Sequence, residues 1–277
     1  MKKLIKKAAI GMVAFFVVAA SGPVFAAVGD QGVDWSKYNG DYGNFGYDHD
    51  KFAFSQVGGT YGGLFVDQAT YPTQVASAIA QGKRAHTYIW YQVGGSQEVA
   101  KAALDRYLPK IQTPKNSIVA LDYESGASGD KQANTDAILY GMRRVKAAGY
   151  TPMYSYKPYT LENVNYKQIL KEFPNSLWIA AYPNYEVTPV PNYSFFPSMD
   201  GISVFQFTST YVAGGLDGNV DLTGITDKGY EGGNATKPDT DTPATDDGKD
   251  ANEVTPSEIQ EGMTVTIKFS ATNYSTG

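Results

Sequence analysis

Between residues 30 and 182 the hydrophobic pattern switches repeatedly between short apolar runs of strand length and stretches with an apolar residue every three or four positions. The runs at 32–36, 52–57, 85–91, 117–124, 151–156, 177–182 and 202–208 read as strands, and 214–222 as a turn leading into a short eighth. Helical spacing marks 71–81 through Val75, Ala78 and Ile79, with Pro72 in a first-turn position and Gly82 as the stop. A second helix runs from a Ser96 cap to about 108, where Pro109 ends it, on the stripe Val99, Ala103, Leu104 and Leu108. A third covers 132–148, with Ile138, Met142 and Val145 on its buried side and Gly149 beyond it. A shorter piece, 166–173, is stopped by Pro174. After that the rhythm changes: 177–182 and 202–208 follow with loops alone between them.

Strands alternating with helices argue for parallel βαβ units. About eight strands over roughly 200 residues fit a closed α/β barrel better than an open sheet, so an irregular TIM-like barrel is expected over residues 28–230. The C-terminal strand ends of such a barrel form one face, and Asp34, Asp122, Glu124, Gln206 and Asp221 fall at or near such ends. The aromatics Trp90, Tyr154, Tyr156, Trp178 and Tyr182 are placed to line the same mouth, as apolar sugar faces would require.

Residues 117–124, Ser-Ile-Val-Ala-Leu-Asp-Tyr-Glu, carry the sharpest chemistry. A strand-length apolar run ending in two acids is hard to explain by packing, because a carboxylate loses hydration when it leaves water. Alternation puts Asp122 and Glu124 on one face with Cβ atoms roughly 7 Å apart, and Tyr123 on the other. Burial and mutual repulsion can set the two pKa values apart, leaving one acid protonated near neutral pH and the other ionised. That is the equipment of a glycosidase.

The ends of the chain differ from the body. Residues 1–26 combine Lys2, Lys3, Lys6 and Lys7 with an apolar core over 8–20, too short to span a bilayer, and small residues before a cleavage site near Ala26, as a signal peptide does. The mature protein is therefore expected to be secreted to the cell wall or medium, without stable membrane association and as a monomer. Residues 231–253 lose nearly all apolar positions and hold seven acids against two lysines, the composition of a flexible acidic linker. Residues 254–277 alternate as a strand does through Met263-Thr-Val-Thr-Ile-Lys-Phe269, but about twenty residues cannot bury a core alone, so an incomplete β-module is expected there.

Charge and composition then exclude several function classes. Without the leader's four lysines the 23 basic residues fall to 19 against 28 acidic ones, and no basic stripe suits nucleic acid. The chain has no cysteine, which removes thiol nucleophiles, zinc-thiolate sites and iron–sulfur clusters. The two histidines, His49 and His86, have no second ligand at metal spacing and read as structural. No G-x-S-x-G elbow accompanies them. No metal or other cofactor is expected.

Five motifs in order, Val33-Asp34-Trp35-Ser36, Leu121-Asp122-Tyr123-Glu124, Leu177-Trp178-Ile179-Ala180-Ala181-Tyr182, Phe205-Gln206-Phe207-Thr208-Ser209 and Gly218-Asn219-Val220-Asp221-Leu222, resemble glycoside hydrolase family 25, the N-acetylmuramidase lysozymes of bacteria and phages. The resemblance implies five βα units followed by three strands with few helices. It also implies hydrolysis of the β-1,4 bond from N-acetylmuramic acid to N-acetylglucosamine in peptidoglycan glycan strands. By position Glu124 would be the acid and then the base, and Asp122 the nucleophile or the group that orients the substrate's own N-acetyl for attack, both with retention. Asp34 and Asp221 would shape the pocket, with Asp217 the nearest rival to Asp221. Two departures stand out: Phe205-Gln206-Phe207 where the family has Trp-Gln-Tyr, which bears on subsite contacts, and a glycine-rich stretch over 56–61. The tail resembles the opening strands of SH3-like wall-binding modules. Two other readings compete, a catalytically silent wall-binding barrel and a glycosidase acting on chitin. The intact acid pair speaks against the first, and the absence of further acids in 117–124 against the second.

Overall fold

In the computed structural model, residues 28–156 and 158–231 are described, and within them the alternation of strands and helices closes into a barrel. The leader, the linker beyond residue 231 and the C-terminal strand segment lie outside the described residues. The strands are β1 (Gln31–Trp35), β2 (Phe52–Tyr61), β3 (Leu64–Asp67), β4 (Arg84–Tyr91), β5 (Ile118–Asp122), β6 (Thr151–Tyr156), β7 (Leu177–Ala180), β8 (Ile202–Thr208) and β9 (Asp217–Asp221). Eight of them form the ring in the order β1-β9-β8-β7-β6-β5-β4-β2, closed by a β1–β2 pairing, while β3 folds back on β2 as a hairpin outside it.

All ring pairings are parallel except the two made by β9, which runs against both β8 and β1. Asp217, the first residue of β9, therefore lies opposite Asp34, while Val220 lies opposite Gln31 at the other end of β1. That reversal decides which acids share the mouth.

Period-two alternation divides each ring strand between two cores. Ile118 and Ala120 of β5 join Phe52, Phe54, Tyr88, Met153, Trp178 and Val204 inside the barrel. Val119, Leu121 and Tyr123 face the outer layer, where the helices pack. Four α-helices are found among the described residues: α1 (Tyr71–Ala80), α2 (Gln97–Tyr107), α3 (Lys131–Ala147) and α4 (Tyr166–Glu172). Ser96 caps α2 by accepting from the Val99 amide, and Asp130 caps α3 by accepting from those of Gln132 and Ala133. The first of the five expected units has no α-helix; a 3-10 turn, Lys37–Asn39, and a long loop carry the chain from β1 to β2.

The β3 hairpin was not foreseen, because its Gly62-Gly63 turn makes the whole of 58–63 read as loop. β2 in fact runs on to Tyr61 through a bulge between Gln56 and Gly58. The glycines there have a packing reason: a Cβ on Gly59 would lie 2.4 Å from the Trp90 Cβ, and one on Gly58 2.3 Å from the Tyr107 ring. Tyr107 uses that space to donate to the Gly59 and Val66 carbonyls at 2.8 and 3.1 Å.

The N-terminal ends of the parallel strands are sealed. Arg84 sits between Asp30 at 2.6 Å and Asp227 at 2.9 Å. His86, fully buried, accepts from the Ile118 amide on Nδ1, so that Nε2 carries the proton toward the Thr226 carbonyl. Desolvation, helped by the nearby Arg84 charge, lowers its pKa to about 3. It is a neutral brace, as the isolated histidine suggested.

Candidate active site

At the opposite end the strand termini enclose a cavity of about 160 Å3 lined by Asp34, Tyr88, Trp90, Asp122, Glu124, Ser155, Trp178, Ala180, Tyr182, Gln206 and Asp217. Seven of the eight ring strands contribute, so no single segment could hold these groups together. Asp122 ends β5 on its inward face, and the strand pairing continues one step further through the Tyr123 amide, which donates to the Ser155 carbonyl at 2.9 Å. Tyr123 itself points to the outer core and donates from its hydroxyl to Gly94. Glu124 then reaches the cavity beyond the strand end, as the i, i+2 spacing predicts.

Asp34 is held by two side-chain amides. Its Oδ2 accepts from Gln206 Nε2 at 2.9 Å and from Asn219 Nδ2 at 2.8 Å, and the Asn219 Oδ1 accepts in turn from the Trp178 indole at 2.8 Å. Burial raises the pKa of Asp34 to about 6; the two amide donors pull it down, and the Glu124 charge pushes it up. Tyr88 stays protonated, its phenol raised well above the ordinary range by burial and by the Asp34 and Asp122 carboxylates.

Trp178 serves mainly as floor. It stacks on Phe54 with ring centres 4.6 Å apart, meets Tyr88 edge-on at 5.8 Å, and is 3% exposed. Tyr182 and Trp90 stand higher on the wall. Trp90 carries Tyr61 stacked at 5.6 Å, and Tyr61 accepts from Gln56 Nε2 at 2.6 Å.

Two residues expected at the mouth, Asp221 and Tyr154, are placed elsewhere, and the side chain of a third, Tyr156, is not described. Asp221 lies at the sealed end, fully buried, with its carboxylate accepting from the amides of Thr223, Gly224, Ile225 and Thr226 and from the Thr226 hydroxyl at 2.7–3.2 Å. It closes the turn after β9, and Asp217 holds the cavity position because β9 is antiparallel. Tyr154 faces the outer core, since Met153 and Ser155 take the inward positions of β6. Tyr156 ends β6, but its side chain lies outside the described residues. The two phenylalanines of 205–207 also point outward, both at most 1% exposed, so Gln206 alone of that triplet meets the cavity. Asn219, Ser155 and Tyr88 were missed. Asn219 was legible in principle, for it shares a face with Asp217, but only once β9 is known to run downward.

Acids and aromatic faces gathered at the mouth of an α/β barrel make this a barrel glycosidase. The chain belongs to Glycosyl hydrolases family 25, whose model matches residues 33–216. A lysozyme of Streptococcus phage Cp-7 is 48% identical over 123 residues, 44% of this chain and 34% of that protein. A protein of Streptococcus phage B30 named D-alanyl-L-alanine endopeptidase is 48% identical over 136 residues, 49% of this chain and 31% of that one. The chain thus spans about a third of the length of these two relatives. Among solved structures, the modular Cpl-1 endolysin complexed with a peptidoglycan analogue is 32% identical, with a TM-score of 0.58 over 70% of this chain and 54% of that one. A family 25 hydrolase from Bacillus anthracis shares the fold at 17% identity and a TM-score of 0.52, over 76% of this chain and 94% of that chain.

Proposed function

We propose that this protein is a secreted, retaining N-acetylmuramidase that cuts the β-1,4 bond between N-acetylmuramic acid and N-acetylglucosamine in peptidoglycan. The observation that carries the reading is the convergence of Asp34, Asp122, Glu124 and Asp217 on one aromatic-walled cavity. Glu124, outermost on the β5 terminus, protonates the leaving glycosidic oxygen and then takes a proton from water. Asp122, deeper on the same face, meets the positive charge that develops at the anomeric carbon. It attacks directly or holds the substrate's N-acetyl group for that attack. Asp34 and Asp217 on the far wall set the field in which these steps occur, and Gln206 and Asn219, the latter held by Trp178, fix Asp34 in place.

The enzyme works on wall glycan outside the membrane, as a monomer and without a metal. The alternatives, a silent wall-binding barrel and a chitin hydrolase, lack a supporting observation of their own. The deciding experiment measures reducing-end release from purified peptidoglycan. The parent is expected to liberate N-acetylmuramic acid ends, and Glu124→Gln to be slower by roughly 10²- to 10⁴-fold. Binding to the wall without cutting, by both proteins, would overturn the reading.

A further inference from the structure

A second groove adjoins the acid cavity and shares Tyr88 and Trp90 with it, with a volume of about 440 Å3. Its walls are mostly apolar, but Lys37 stands among them, the single cation lining either space. The turn that carries Lys37 buries none of its residues, so packing does not explain how firmly it is held. Ser36 and Asn39 bond reciprocally across it, and the Lys37 amide donates to Gln68 Oε1 at 3.0 Å. Gln74, fully buried in α1, donates to both the Ser36 and Gly40 carbonyls at 2.9 Å. The Lys37 ammonium lies 5.0 Å from the Tyr38 ring centre, and among the described residues no carboxylate pairs with it. Arg106, Lys110, Arg143 and Arg144, by contrast, all have acidic partners.

We infer that Lys37 is a specificity-determining residue that binds a carboxylate of the substrate lying in the groove beyond Trp90. The inference rests on the muramidase reading and deepens it. A mouth ringed by four acids repels an anionic chain, so a substrate that carries carboxylates needs a cation beside the path. In peptidoglycan those carboxylates belong to the stem peptides, or to the lactyl groups of the glycan once the peptides are removed. Both offer the same chemistry to an ammonium group, a charge-assisted hydrogen bond at an exposed aromatic edge.

The test compares the parent, Lys37→Met and Lys37→Arg on three soluble substrates: glycan strands with free stem carboxylates, the same strands with those carboxylates amidated, and strands stripped of peptide. Lys37→Met is expected to raise KM about tenfold with kcat unchanged on whichever carboxylate-bearing substrate supplies the partner, and to leave the amidated strands unaffected. Lys37→Arg is expected to restore most of the loss. A KM rise confined to the first substrate names the stem carboxylate, and one confined to the stripped strands names the lactyl group. If the parent cuts and Lys37→Met matches it throughout, or shifts all three substrates equally, the inference is overturned alone. If the parent cuts none of the three, the muramidase reading falls and takes the inference with it.

Discussion

The two ends of this barrel use the same residue types to opposite purposes. At the sealed end Asp221 accepts five hydrogen bonds from the turn that follows β9, and Arg84 is held between Asp30 and Asp227. At the open end Asp34 is nearly as buried, at 6% exposed, but its partners are two side-chain amides on Oδ2 and the Asp217 carboxyl, with the Glu124 charge nearby. An acid whose carboxylate gathers backbone amides closes a turn, whereas one buried beside other carboxyls has its pKa raised. Position in the sequence did not separate these cases; the direction of one strand did.

The comparison breaks most sharply through a pair of substitutions. Glu124→Gln should abolish most hydrolysis while leaving the unfolding midpoint near that of the parent. Asp221→Ala should do the reverse, costing about 3 kcal/mol or more, because each buried donor left without a partner costs roughly 1–3 kcal/mol. Denaturant unfolding beside reducing-end release reads both. A stable, inactive Asp221→Ala protein would return that acid to the catalytic group.

A smaller effect lies in the pH dependence of stability. Asp34, raised to about 6 from 3.8, binds a proton more tightly when folded, so its contribution is complete below pH 3.8 and is lost as pH rises through 6. His86, lowered to about 3 from 6.5, refuses in the folded state a proton that the unfolded chain accepts, so stability falls as pH drops from 6.5 toward 3. Between pH 4 and 6 the two ends therefore pull in opposite directions and nearly cancel. Asp34→Asn should expose the histidine alone, with stability climbing about 1.4 kcal/mol per pH unit across that window. A flat profile in that variant would show that His86 is not the counterweight.

The smallest expected effect belongs to Tyr154→Phe. Its ring packs in the outer core and is kept in the variant, so the unfolding free energy should change by no more than about 1 kcal/mol and hydrolysis less than twofold. A large loss of rate would place that hydroxyl in the substrate's path after all.

How far the sequence could be read follows from the range of the interactions involved. β5 with its acids, the cap at Ser96, and the stops at Gly82, Pro109 and Gly149 are local signals, and they lie within a residue or two of the observed bounds. The inward or outward sense of Tyr154 against Ser155, and of Asp217 and Asn219 against Asp221, depends on neighbours far along the chain. Both arrangements obey the same period of two, so alternation alone could not choose. The 3-10 turn after β1 and the β3 hairpin escaped because their glycine- and tyrosine-rich stretches have neither period.

The seam between β1 and β9 carries one more consequence, for the order of events during folding. Asp34 meets Gln206 and Asn219 across 172 and 185 residues, so these hydrogen bonds must close loops of most of the barrel. Contacts of such sequence separation are slow to form, and nothing shorter can substitute for them. A partly synthesised or half-assembled chain has Asp122 and Glu124 on their strand but no opposing wall. The acid cavity is thus a property of the finished ring, complete only where its two ends are joined.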